Sequence, residues 1–284
     1  MNTKRGPNLV LTRPCSKMFL PQFMKLHERL KIPPTAVDVS GCKRMLEMAE
    51  NPTAYELETN LDGWKSNLPF ERYLLGIHAY LADELDCAEE QFQKLPTDVV
   101  EYFFGEWRKA FLPVKTKGDF RYWKKRAWME IYVSGILTCA IIGQWKQAVL
   151  ISSYPDQECG LDVDGKPADR SFLLAMAEWL THGKSTVKLT TYISEAVQSK
   201  TPRAREEIKL LEAALNGSAE KAIESFSAYM RFYQKKIFPL NDMTEKQSKM
   251  GTFFWHWWMK EGVNVDPENT FSDFVIRISN QVQK

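Results

Sequence analysis

Apolar residues recur at helical spacing along most of this chain. The clearest run follows Asn216-Gly217, where Ala222, Ile223, Phe226, Tyr229, Met230, Tyr233 and Ile237 fall three or four apart. Such a run is one stripe down a long helix. Gly217 is placed to end the preceding helix in a left-handed turn, and Ser218 to cap the next. Thr201-Pro202 opens that preceding helix, whose stripe is Ile208, Leu211 and Leu215. Asp266-Pro267-Glu268 reads as another helix start, followed by Phe271, Phe274, Val275 and Ile278. Further helices are expected over residues 17–31, 40–50, 52–66, 69–82, 85–94, 97–110, 119–142, 145–153, 169–182 and 245–261. Val187 to Ile193 is β-branched, but its surroundings favour a helix over a strand. Gly160 to Pro167 is a polar loop rich in turn residues.

A weak repeat sits on top of this pattern. Gly143 and Gly217 each follow a helical stripe, and each is followed five residues later by alanine, Ala148 and Ala222. A looser copy turns at Gly183, and an N-terminal relative turns near Asp83, with Ala88 and Phe92 placed like Ala222 and Phe226. The small alanines let paired helices approach closely. The expected fold class is therefore all-α: an irregular array of antiparallel helical hairpins, TPR-like and α-solenoid-like, in a single compact domain. That domain is expected over residues 17–284, behind an extended N-terminal arm at 1–16, with its best internal seam at 155–168.

Composition narrows the class further. Of 284 residues, 44% are hydrophobic and 26% charged, which excludes wholesale disorder. Thirty-eight Lys and Arg stand against 36 Asp and Glu, and a net charge of +2 argues against a chain built to coat nucleic acid. Cys15, Cys42, Cys87, Cys139 and Cys159 are odd in number and scattered, so unbridged thiols are expected rather than a disulfide framework or a zinc site. Leu9 to Leu11 is too short for the apolar part of a signal peptide. Ile131 to Gly143 is too short for a membrane span. The expected location is cytoplasmic, with no membrane partner.

Chemistry-bearing motifs are scarce. His27, His78, His182 and His256 stand far apart with no HExxH pattern, and read as surface or hydrogen-bonded core residues. Asp162-Val163-Asp164-Gly165 starts like a calcium loop, but position twelve is Leu173 instead of glutamate. No glycine-rich phosphate loop and no GxSxG elbow occurs. No catalytic residue, cofactor or metal site is therefore expected. Lys115 to Trp128 interleaves cations with aromatic rings, which would suit a single-stranded nucleic acid. The helical spacing of Phe120, Trp123, Ala127 and Trp128 points those rings to the core instead. Gly251 to Met259 is so aromatic that a central helix, packed on several sides, is expected. One cluster remains as a candidate surface. Asp83, Glu84, Asp86, Glu89 and Glu90 place five carboxylates within eight residues, at a turn and a helix's first turn. They complement the helix dipole there, and they form a surface that would meet a basic partner and steer its approach.

The C-terminal half resembles the immunity protein 49 family of bacterial polymorphic-toxin systems. The likeness rests on Leu211-Glu212-Ala213-Ala214-Leu215-Asn216-Gly217-Ser218-Ala219-Glu220 and the long helix through Phe226, Tyr229 and Tyr233. It also rests on Phe254 to Val265, similar to a late helix ending in a Gly-hydrophobic-x-Val step. Roughly residues 130–270 are covered. The resemblance implies a soluble, non-catalytic, mostly helical protein that binds a cognate toxin domain and occludes its active site. Two other readings stand beside it: a helical-repeat scaffold for an unrelated protein ligand, and an enzyme whose site assembles inside the bundle.

Overall fold

The computed structural model describes residues 23–25, 36–59, 61–106, 121–154, 167–198, 202–235, 237–239 and 247–278. The helices are α1 (Ala36–Glu50), α2 (Ala54–Thr59), α3 (Leu61–Leu81), α4 (Leu85–Phe104), α5 (Arg121–Ile141) and α6 (Trp145–Ser152), then α7 (Pro167–His182), α8 (Val187–Val197), α9 (Pro202–Asn216), α10 (Ala219–Gln234) and α11 (Lys249–Lys260). The fold is all-α, as the periodicity requires. Neighbours in sequence pack as neighbours in space: α1 on α3, α3 on α4, α4 on α5, and so on through α9 on α10. Helix α11 then folds back onto α5, α9 and α10. Among the described residues, no helix is long and apolar enough to cross a membrane.

The turns between helices follow the residues that the repeat singled out. Gly143, Gly183 and Gly217 take left-handed φ values of 72°, 86° and 69°, and Asp83 takes 63° in the equivalent place. Two of these turns close identically. The Glu84 amide donates to the Ala79 carbonyl at 2.9 Å, and the Gln144 amide to Cys139 at 2.8 Å. Ala88, Ala148 and Ala222, five residues past their turns, are all buried. Ser218 and Thr186 cap α10 and α8 with their hydroxyls. The segment at 187–197 is thus helical, not a strand.

One apolar core runs from α3 through α11 and into residues 265–278. Close approach is built in where it is needed. A Cβ placed on Gly76 would meet Phe92 at 2.5 Å, and one on Gly135 would meet Val99 at 2.6 Å. Helix α11 is the central helix its composition predicts: Phe253, Phe254, Trp255 and Trp258 are all buried.

Four expectations need correction. The helix expected over 17–31 is contradicted at Phe23–Lys25, which pairs antiparallel with Ile237–Pro239. Ile237 is accordingly not on α10, which ends at Gln234; Pro239 disfavours helix in the residue before it and cannot donate to a helical ladder. The breaks expected near Pro69 and Pro96 do not occur, since both prolines lie inside α3 and α4. The buried run Phe92, Leu95, Val99 and Phe103 outweighs the hydrogen bond lost at Pro96. Finally, Asp266 does not open an α-helix. Its carboxylate accepts from the Thr270 and Phe271 amides, a single 3-10 turn follows at Ser272–Phe274, and the chain then extends. The proposed arm at 1–16, the calcium-like loop, His27, and Lys115 to Phe120 lie outside the described residues. So does most of the 155–168 seam.

Candidate functional site

The five acidic residues of the sequence candidate lie on and just past the α3–α4 turn. Asp83 is exposed at the left-handed corner, a conformation aspartate tolerates better than most residues. Glu84 is half-buried and accepts from Lys43 of α1 at 3.0 Å. Asp86 is exposed in the first turn of α4. Glu89 accepts from Gln93 at 3.1 Å, and Glu90 from Lys94 at 2.6 Å. The Lys94 ammonium holds the Glu90 carboxyl below the usual glutamate range.

The geometry therefore divides the cluster. Glu84, Glu89 and Glu90 have side-chain partners on α1 or one turn along α4. Asp83 and Asp86 make no side-chain hydrogen bond or ion pair among the described residues. Between them in sequence sits Leu85, which is 40% exposed. The tip of this hairpin is thus an exposed leucine flanked by two carboxylates that have no side-chain partner among the described residues. The sequence reading missed Leu85, because its spacing to Ala88 and Phe92 mimics the buried stripe. It also missed Lys43, whose pairing with Glu84 is set by tertiary packing.

A second polar cluster lies just beneath. Arg72 of α3 is 5% exposed. Its Nε donates to Asp98, its Nη1 to Gln91 at 2.9 Å and its Nη2 to Glu50 at 2.9 Å. It joins α1, α3 and α4. Burial pushes the Asp98 carboxyl above the ordinary aspartate value, and the guanidinium pulls against that. A cation on a buried stripe position was the available sequence signal for this site.

A third cluster fastens the C-terminal segment. The Tyr80 hydroxyl donates to the Val275 carbonyl at 3.3 Å and accepts the Arg277 amide at 3.1 Å. The Thr252 hydroxyl accepts the Ile276 amide, and His256 Nε2 lies 2.9 Å from the Ile276 carbonyl. Arg277 stacks 4.6 Å from the Trp255 ring and donates to Asp266 at 2.6 Å. Every named group here holds chain to chain.

Burial pushes the His256 pKa down to about 4, so the ring is neutral at pH 7 and donates to Ile276. In the unfolded chain it would protonate near 6.5. The unfolded state therefore binds the extra proton between those values. The stabilisation is complete above pH 6.5 and is lost as pH falls from 6.5 towards about 4. The full loss is about 3 kcal/mol. Urea titrations at pH 7.5 and 4.5 should show it, and His256→Gln, which keeps a donor for Ile276, should remove that part of the pH dependence. An equal pH dependence in both proteins would refute the assignment.

Cys139, His78 and His182 stand outside these three clusters. Burial raises the Cys139 thiol to about 12, leaving it protonated and inert at neutral pH. His78 is half-buried in α3, and His182 is exposed at the end of α7. Among the described residues, no group of three His, Cys, Asp or Glu is placed to hold a metal ion. Comparison with family models, curated proteins and solved structures yields no match.

Proposed function

We propose that the chain is a non-catalytic protein-binding protein, most concretely an immunity protein that neutralises a toxin domain by occluding its active site. The observation that supports this reading is the α3–α4 tip, where exposed Leu85 lies between Asp83 and Asp86. An exposed apolar anchor rimmed by carboxylates suits docking onto a basic surface. The acids steer the encounter, and the leucine loses water on contact. Occlusion needs no chemistry from the binder. It needs an interface that dissociates slowly compared with toxin encounters.

The test begins with co-purification from the native host, to obtain a stoichiometric basic partner. Asp83→Lys with Asp86→Lys reverses the tip while leaving the Lys43–Glu84 pair in place. Association with that partner should slow about 10-fold at low salt and lose most of its salt dependence. Leu85→Ala should instead speed dissociation. Unchanged association kinetics and salt slope in the double variant would remove the tip from the contact.

A further inference from the structure

Helix α1 is attached differently from every helix after α2. Of its buried residues, Val39 and Leu46 join Leu75 in a small satellite core, lined by Cys42, Leu68, Ala82 and Cys87, and Ala49 is buried beside them in sequence. Neither Val39 nor Leu46 enters the main core. Among the described residues, the polar ties of α1 include Lys43 to Glu84, Glu50 to Arg72, and the Trp64 Nε1 donor to the Ala49 carbonyl at 2.7 Å. Both Lys43 and Glu84 are substantially exposed.

The helix is also weak by itself. Val37, Val39, Ser40 and Gly41 are poor helix formers in its first half. A helix of this length is marginal in water without a surface to pack on. Its outer face buries little, with Met45 and Met48 exposed and nothing near a Cβ placed on Gly41. The buried cation beneath it, by contrast, stays satisfied without it. Arg72 keeps Asp98 and Gln91 as acceptors when Glu50 leaves. One aspartate already balances its charge, so Glu50 is the surplus carboxylate.

From this we infer that α1 is a displaceable occupant of a helix-binding groove on α3, bordered by Cys87 of α4. The ligand class is an amphipathic helix with α1's own pattern. It has small or branched apolar residues at the spacing of Val39, Cys42, Leu46 and Ala49. It has a cation at the place of Lys43 to meet Glu84, and a carboxylate at the place of Glu50 to meet Arg72. This is recognition of a helix in a groove, with the free protein's own helix as competitor. It does not depend on the toxin reading above.

Hydrogen exchange of the full chain gives the first test. Amides of α1 should exchange at least about 100-fold faster than those of Ile131–Ile141 in α5, as one unit. Exchange of the two helices in step overturns the proposal. The second test uses a labelled peptide of residues 36–50. Leu46→Glu should undock α1 while leaving α5 protected, and the peptide should bind this variant about 10-fold or more tighter than the original chain. Adding Leu75→Glu should abolish that binding. Equal binding to both proteins, binding to neither, or loss of α5 protection in Leu46→Glu would each overturn it.

Discussion

Replacing Arg72 by alanine is expected to destabilise the fold by about 3 to 5 kcal/mol, because it leaves a buried carboxylate without its counter-charge. Three acceptors face the guanidinium, and they do not matter equally. Glu50 is 43% exposed and regains water when Arg72 is lost, so that tie resembles a surface pair worth about 1 kcal/mol or less. Asp98 and Gln91 are enclosed, at 18% and 5% exposure, and cannot regain it. The loss therefore falls mainly on the α3–α4 contact. Denaturant titration should show Glu50→Ala as mild and Arg72→Ala as severe. Arg72→Lys should lie between, since an ammonium keeps the charge but not the forked donors. The double variant Arg72→Ala/Asp98→Ala should cost less than the two single changes added together, because the second removes the carboxylate that the first strands. Strict additivity, or a loss below about 1 kcal/mol for Arg72→Ala, would show that this arginine is solvated and not buried in a working network.

What could be read ahead of the structure was local, and what could not was long-range. A left-handed turn needs a residue that tolerates positive φ, and the sequence names it at Gly143, Gly183, Gly217 and Asp83. The alanines five residues past three of those turns pack as the repeat implies. Proline misled where its local cost was outweighed by contacts, as at Pro96 among Phe92, Leu95 and Val99. The C-terminal segment misled for a different reason. Phe271, Phe274, Val275 and Ile278 keep the spacing of a helical stripe and are all buried. Yet the Ile276 and Arg277 amides are taken by Thr252 and by Tyr80, the latter 197 residues away in sequence. No windowed pattern sees such a partner. The acidic candidate shows the same division. Its five carboxylates are plain in the sequence, but which of them is neutralised depends on Lys43, 41 residues before Glu84.

Helix α11 is where those long-range links converge, and Phe254 is the residue that tests how firmly. It is fully buried. Its ring stacks at 11° on Trp179 of α7, with centroids 6.2 Å apart, and lies 5.2 Å from Phe253 and 5.4 Å from Trp258. Alanine there removes a ring from a wall made by several helices that cannot all move inward. The expected cost is about 3 to 5 kcal/mol, transfer and cavity together. Trp257→Ala should cost less, although its ring is larger, because Trp257 is half-buried and its Lys260 neighbour is exposed. Near-ultraviolet circular dichroism of Trp179 and Trp258 should weaken in Phe254→Ala even where helix content is retained. Because α11 also holds the Thr252 and His256 ties, the C-terminal segment should come away in the same cooperative transition as α5 and α10. Separate transitions for those elements would mean that the continuous core from α3 to Ile278 is two cores in contact. A cost below about 1 kcal/mol would mean that the wall around Phe254 collapses freely.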